Sequence, residues 1–145
     1  MDEELLPAPI LAKATLCGKE YAWPLADVEQ VIEAARSAGL ATLGGQAQFR
    51  LPDGICEMYW READASDRKP NESWSAFVCR SAGEVLARFK EKVANVDYLA
   101  EARRWPFLGK QLEQGVDVLA YLCFVLYFQA EKTPEPTRPP HRPHD

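Results

Sequence analysis

A chain of 145 residues, 47% hydrophobic and 27% charged, has the make-up of one ordinary soluble domain and is long enough to bury a core without disulfide or metal staples. The formal charge of -5 would repel a phosphate backbone, which argues against nucleic acid and favours a basic or neutral partner. Residues 131 to 145 carry three basic and three acidic side chains, so the whole acidic excess sits on residues 1 to 130.

The chain begins Met1-Asp2-Glu3-Glu4, acidic where a secretory signal is basic, and no apolar core of a signal peptide follows. Residues 10 to 16 fit either a short strand or a first helical turn. From Pro24 the pattern sharpens: Leu25, Val28, Val31, Ile32 and Ala35 recur at helical spacing, Asp27, Glu29 and Glu33 take the wet side, and Gly39 supplies the stop. A helix is predicted over residues 25 to 38.

Residues 46 to 51 alternate polar and apolar with period two, Pro52-Asp53-Gly54 is turn chemistry, and residues 55 to 60 are strand-like again, so a β-hairpin is predicted. Residues 63 to 71 are charged, contain Pro70 and lack periodicity, which predicts an exposed loop. A third strand is predicted over residues 73 to 80. Ser81-Ala82-Gly83-Glu84 matches a capping box and predicts a helix over 81 to 94, with Val85, Leu86, Phe89 and Val93 facing the sheet.

Residues 96 to 104 are expected to be helical and to break before Trp105-Pro106, because a residue preceding proline is pushed out of the α region. Residues 108 to 129 read as the longest helix, polar at first and nearly all apolar from 116 to 128. That run is interrupted by Asp117 and falls well short of the roughly 20 apolar residues a membrane helix needs, so a core helix is expected and no membrane partner. Residues 133 to 145 hold five prolines and no apolar periodicity. The fold class is therefore α+β: one domain over residues 1 to 130, with a small antiparallel sheet of at least three strands packed on about three helices. The last of these is a long apolar C-terminal helix, and a disordered Pro-rich tail covers residues 131 to 145.

Both histidines, His141 and His144, stand in that tail, so residues 1 to 140 offer no imidazole for general base or metal work. Ser-His-Asp, Cys-His and zinc mechanisms fail on this count, leaving a pair of carboxylates as the main route for an enzyme. Cys17, Cys56, Cys79 and Cys123 are far apart with no C-x-x-C pair and read as free thiols of a reducing cytoplasm, the last three as packing residues. No catalytic, cofactor or metal residue is assigned. Gly44-Gly45 lacks both the spacing of a phosphate loop and a following helix, and is read as a joint where the chain enters the hairpin. In the tail, Pro139-Pro140-His141-Arg142-Pro143-His144 admits a polyproline-ligand or weak metal reading, with a solvated terminus as the ordinary one.

The aromatic residues Tyr59, Trp60, Trp74 and Phe77 fall on predicted neighbouring strands, where alternation does not let all of them point inward. Outward aromatics next to acidic residues make a protein-binding surface, and the candidate partner-binding set is Glu57, Tyr59, Trp60, Asp64, Asp67 and Trp74.

The order of helix, Ala38-Gly39-Leu40-Ala41-Thr42-Leu43-Gly44-Gly45-Gln46-Ala47, hairpin, Trp-bearing strand and return helix resembles small immunity proteins of bacterial polymorphic toxin systems, over about residues 25 to 92. The resemblance implies a non-enzymatic cytoplasmic protein that binds a cognate toxin domain and covers its active site. At Gln46 the family pattern has an acidic residue, so no toxin-contacting carboxylate is carried over to that position. The alternative from another class is a homo-oligomeric structural or adaptor protein, a homodimer for example, joined through an apolar helix at 116 to 128.

Overall fold

In the computed structural model, which describes residues 1 to 132, the chain forms an α+β unit built on one antiparallel sheet. The elements run α1 (Ala8–Leu11), β1 (Thr15–Cys17), β2 (Glu20–Trp23), α2 (Val28–Ser37), β3 (Ala41–Leu51), β4 (Gly54–Asp64), α3 (Trp74–Lys92), α4 (Tyr98–Arg103), α5 (Pro106–Glu113) and β5 (Leu122–Gln129). Three short 3-10 turns, Glu3–Leu5, Leu25–Asp27 and Val118–Tyr121, link them. The strand order is β1-β2-β5-β3-β4, so the last strand in sequence occupies the middle of the sheet. Among the described residues no helix is long and apolar enough to cross a membrane.

The first helix and the hairpin form where the sequence places them. α2 buries Val28, Val31, Ile32 and Ala35. It ends in a Schellman motif, with Leu40 N donating to Ala35 O at 2.9 Å and Gly39 N to Arg36 O at 3.1 Å. The hairpin is longer than the alternation suggests, since β3 starts at Ala41 and β4 runs to Asp64. Gly44-Gly45 consequently lies inside β3 and not ahead of it. Gly44 has φ of 152° next to a register shift against β5, and a Cβ on Gly45 would stand 1.9 Å from Val125 O. The pair lets β3 bulge and lets β5 approach closely.

Two expected elements are replaced. Residues 73 to 80 are not a third strand but the opening turns of α3, whose N-cap Ser73 accepts a hydrogen bond from Ala76 N at 3.1 Å. Phe77, Val78, Ser81, Ala82, Val85 and Phe89 are its buried residues, one continuous helical stripe beginning before Ser81. Ser81 therefore caps nothing: its hydroxyl donates to Val78 O at 3.2 Å and accepts from Thr42 N at 3.1 Å, which ties α3 to β3.

The long apolar helix at 108 to 129 does not exist. α5 stops at Glu113, and Gly115, at φ 81°, closes a second Schellman motif with Val116 N on Gln111 O and Gly115 N on Leu112 O, both at 3.0 Å. The apolar run that follows is β5, hydrogen-bonded to β2 on one side and β3 on the other. A strand buried in this way needs apolar residues on both faces, and such a short run has no period that tells it from a buried helix. The oligomer interface expected on that helix disappears with it.

α2 and α3 cover one sheet face, where Trp23, Phe49, Met58, Phe124, Leu126 and Phe128 meet Ile32, Val85 and Phe89 in the main core. The other face carries Ala22, Cys123 and Val125, with Tyr127 packed against them, beside the buried Gln48 and Arg50. The N-terminal segment is stitched to the end of β5: Asp2 N donates to Phe128 O at 3.1 Å, and the buried Glu3 carboxylate accepts from Phe128 N at 3.2 Å. Burial raises the Glu3 pKa. All four cysteines are free; Cys56 and Cys123 are buried, and burial pushes the Cys123 thiol up to about 11. Cys79 is exposed on α3 and does not serve the packing role expected of it. The expected disordered tail and its proline-histidine motif lie outside the described residues, apart from Glu131 and Lys132.

Candidate functional site

The edge strand β4 does not pair evenly with β3. Ala47 lies opposite Met58 and Gln46 opposite Glu62, so Tyr59, Trp60 and Arg61 are three extra residues that bulge from the ladder. A bulge of this kind bends an edge strand and re-aims its side chains. Tyr59 is left 62% exposed and Trp60 45% exposed, a consequence of the bulge that simple alternation does not foresee. The Tyr59 hydroxyl donates to the Glu57 carboxylate, and this bond raises the phenol pKa.

Trp60 is held from behind. Its indole Nε1 donates to Glu101 Oε2 at 2.8 Å, and its ring stacks on Trp105 at 6.1 Å between centroids with a 19° interplanar angle. Arg61 Nη2 donates to the other Glu101 oxygen at 3.0 Å, and the Arg104 guanidinium lies over the Trp60 ring at 6.0 Å. Burial acts to raise the Glu101 pKa, but the hydrogen bonds from Trp60 and Arg61 and the charges of Arg61 and Arg104 outweigh it and leave the group below its ordinary range. Glu101 thus clamps the bulge to α4. Glu101→Gln keeps the shape but removes the charge, and is expected to cost about 1 to 3 kcal/mol of stability and to weaken Trp60 packing. Urea titration followed by Trp fluorescence measures both.

Asp67 and Trp74 occupy a different place. With Leu43, Arg68, Phe77 and Lys132 they line a cavity of about 450 Å³ at the start of β3 and the start of α3. Trp74 Nε1 donates to Gly39 O at 2.8 Å, its ring meets Phe77 edge-on at 5.6 Å, and the Arg68 guanidinium stands 5.3 Å above it. The loop in front is organised by Arg80 on α3, which donates to Glu72 Oε2 at 2.6 Å, Glu72 Oε1 at 2.8 Å, Asp67 O at 3.0 Å and the Glu84 carboxylate. Ser66 Oγ donates to the same Glu84 carboxylate, at 2.9 and 3.0 Å to its two oxygens. Asp64 lies between the two regions, at the end of β4, where its backbone carbonyl accepts from Arg88.

The hydrogen bonds from Arg80 hold the Glu72 carboxyl down to about 2, and Glu84 is lowered as well. A carboxyl depressed in the folded state stabilises the fold above its unfolded pKa, and that stability is lost as pH falls toward the folded value. Stability is therefore expected to decline between about pH 4.5 and about 2 for Glu72. Arg80→Met should flatten this decline, which thermal melts at stepped pH will show. Glu72, Glu84 and Glu101 are all biased toward the charged form, the opposite of the bias that suits a carboxyl acting as general acid.

The six sequence candidates thus separate into the half-buried Glu57 with the exposed Tyr59 bonded to it, a clamped neighbour, Trp60, a strand end, Asp64, and a cavity pair, Asp67 and Trp74. The residues that set this geometry, Glu101, Trp105 and Arg80, carried no pattern of their own in the sequence; only the break at Trp105-Pro106 marked one of them. No family model matches the chain, and neither does any curated protein or solved structure.

Proposed function

We propose that this chain is a non-enzymatic bacterial immunity protein that binds a cognate toxin domain in the cytoplasm and occludes its active site. The observation that carries the reading is the bulged edge of β4, where Tyr59 projects into solvent beside Glu57 while Trp60 behind it is fixed by Glu101 and Trp105. Protein-binding hot spots are enriched in tyrosine and tryptophan held in rigid surroundings, and preorganisation reduces the entropy cost of docking. The acidic excess on residues 1 to 130 steers a basic toxin toward the surface. Asp64, with Asp67 and Trp74 beyond it, extends the contact toward the cavity at the start of α3.

Co-expression with the variable C-terminal domain of a large secreted protein encoded beside this gene tests the reading. The expected result is co-purification in equal amounts and survival of cells that the toxin domain alone would kill. Survival without a complex, or a complex that leaves the toxin active, contradicts it. Within the complex, Trp74→Ala is expected to weaken binding less than Tyr59→Ala, because Trp74 is already engaged by Gly39, Phe77 and Arg68.

A further inference from the structure

The uncovered sheet face ends in a second depression, a groove of about 510 Å³. Leu16 of β1, Ile55 of β4 and Tyr121 ahead of β5 contribute exposed apolar surface to it, and Arg50 of β3 lines its floor. Its size is within the range of small-molecule sites, about 300 to 1,000 Å³.

Arg50 is only 8% exposed. Its Nε donates to Gln48 Oε1 at 2.6 Å, and Nη1 donates to Thr15 O at 2.8 Å and Glu20 O at 3.1 Å. These acceptors are all neutral. Among the described residues Nη2 has no partner, and neither does the neighbouring Gln48 Nε2; both atoms are closed off from solvent in this structure, and Gln48 is almost wholly buried. Among the described residues the arginines that form ion pairs are Arg36, Arg61, Arg80, Arg88 and Arg104, and Arg50 is not one of them. A guanidinium does not discharge near neutral pH, so Arg50 stays charged although no carboxylate among the described residues pairs with it directly. The site is thus a fixed positive charge, with one guanidinium nitrogen unpartnered, set at the floor of an apolar groove.

We propose that this groove binds a small amphiphilic carboxylate, whose head group pairs with the Arg50 guanidinium and whose apolar chain lies along Leu16, Ile55 and Tyr121. The shape and charge of the groove carry this independently of the toxin reading. Decanoate is the probe, titrated calorimetrically against the full chain, with decyltrimethylammonium and 1-decanol as chain-matched controls. Decanoate is expected to bind at least about tenfold more tightly than either control, the margin of one charge-assisted hydrogen bond. Arg50→Met should remove that margin. Because Arg50 also ties β1 and β2 to β3, Leu16→Glu provides a second test at an exposed position, where the added negative charge at the groove should weaken decanoate at least about tenfold while leaving the circular dichroism unchanged. Equal binding of decanoate and decyltrimethylammonium, no decanoate binding by the folded chain, or undiminished binding by folded Leu16→Glu would each overturn the proposal.

Discussion

Gly45→Ala is expected to destabilise the fold by about 3 kcal/mol or more, beyond the usual range for one added methyl group in a packed core. The added Cβ would stand 1.9 Å from Val125 O and 2.7 Å from Phe124 Cε2. The phenyl ring can turn away, but the carbonyl belongs to the central strand β5, which is held on both sides by β2 and β3. Relief requires β3 and β5 to separate at the middle of the sheet, breaking ladder bonds between them. Urea denaturation should show a lower midpoint with an unchanged slope. A midpoint within experimental error of the wild type would show that β5 does not lie where the register places it.

Phe124→Ala is the second large effect, with an expected loss of about 3 to 5 kcal/mol. Phe124 is fully buried, meets Phe89 edge-on at 5.1 Å and shares the core with Trp23, Phe49 and Phe128. Its ring joins the sheet to α3, so the cavity left behind is bounded by elements that cannot collapse independently. Cys123→Ala, one residue earlier, removes a side chain from the opposite face and should cost far less. This alternation distinguishes a strand from a helix at residues 122 to 129. In a helix, Phe124 and Cys123 would be only 100° apart on one cylinder; in β5 they face opposite sides.

Half of the fold was legible because its signals are local. The helical spacing from Val28 to Ala35, the Schellman glycine at 39 and the turn Pro52-Asp53-Gly54 depend on neighbours in sequence, and each produced the element expected. The apolar run before Gln129 depended on what surrounds it, and nothing in its own period distinguished a central strand from a core helix. One local signal was present, however. Gly115 plays the same part at the end of α5 that Gly39 plays at the end of α2, and reading it as a stop would have ended the helix at its true position. The start of α3 was obscured similarly, because Trp74, Ala76 and Val78 mimic a period-two strand while the buried pair Phe77 and Val78 belongs to a helical stripe.

The surface was less legible than the core. Alternation implies that some of Tyr59, Trp60, Trp74 and Phe77 point outward; Tyr59 and Trp60 are exposed, but through a three-residue bulge that no pattern in β4 announces. Trp74 was placed on a strand beside them and instead starts a helix. Gly44-Gly45 turned out to be a close-packing device within the sheet, which explains its place in the sequence without any ligand.

The toxin-binding account is tested most directly by calorimetric titration of the neighbouring toxin domain with the wild-type chain and with Tyr59→Asp. At an exposed position this substitution should leave the fold intact while removing the projecting anchor. The account predicts one-to-one binding by the wild type and at least about a hundredfold loss in the variant, the scale of a hot-spot residue. Equal affinity of the two proteins, or no binding by either in their folded state, would contradict it.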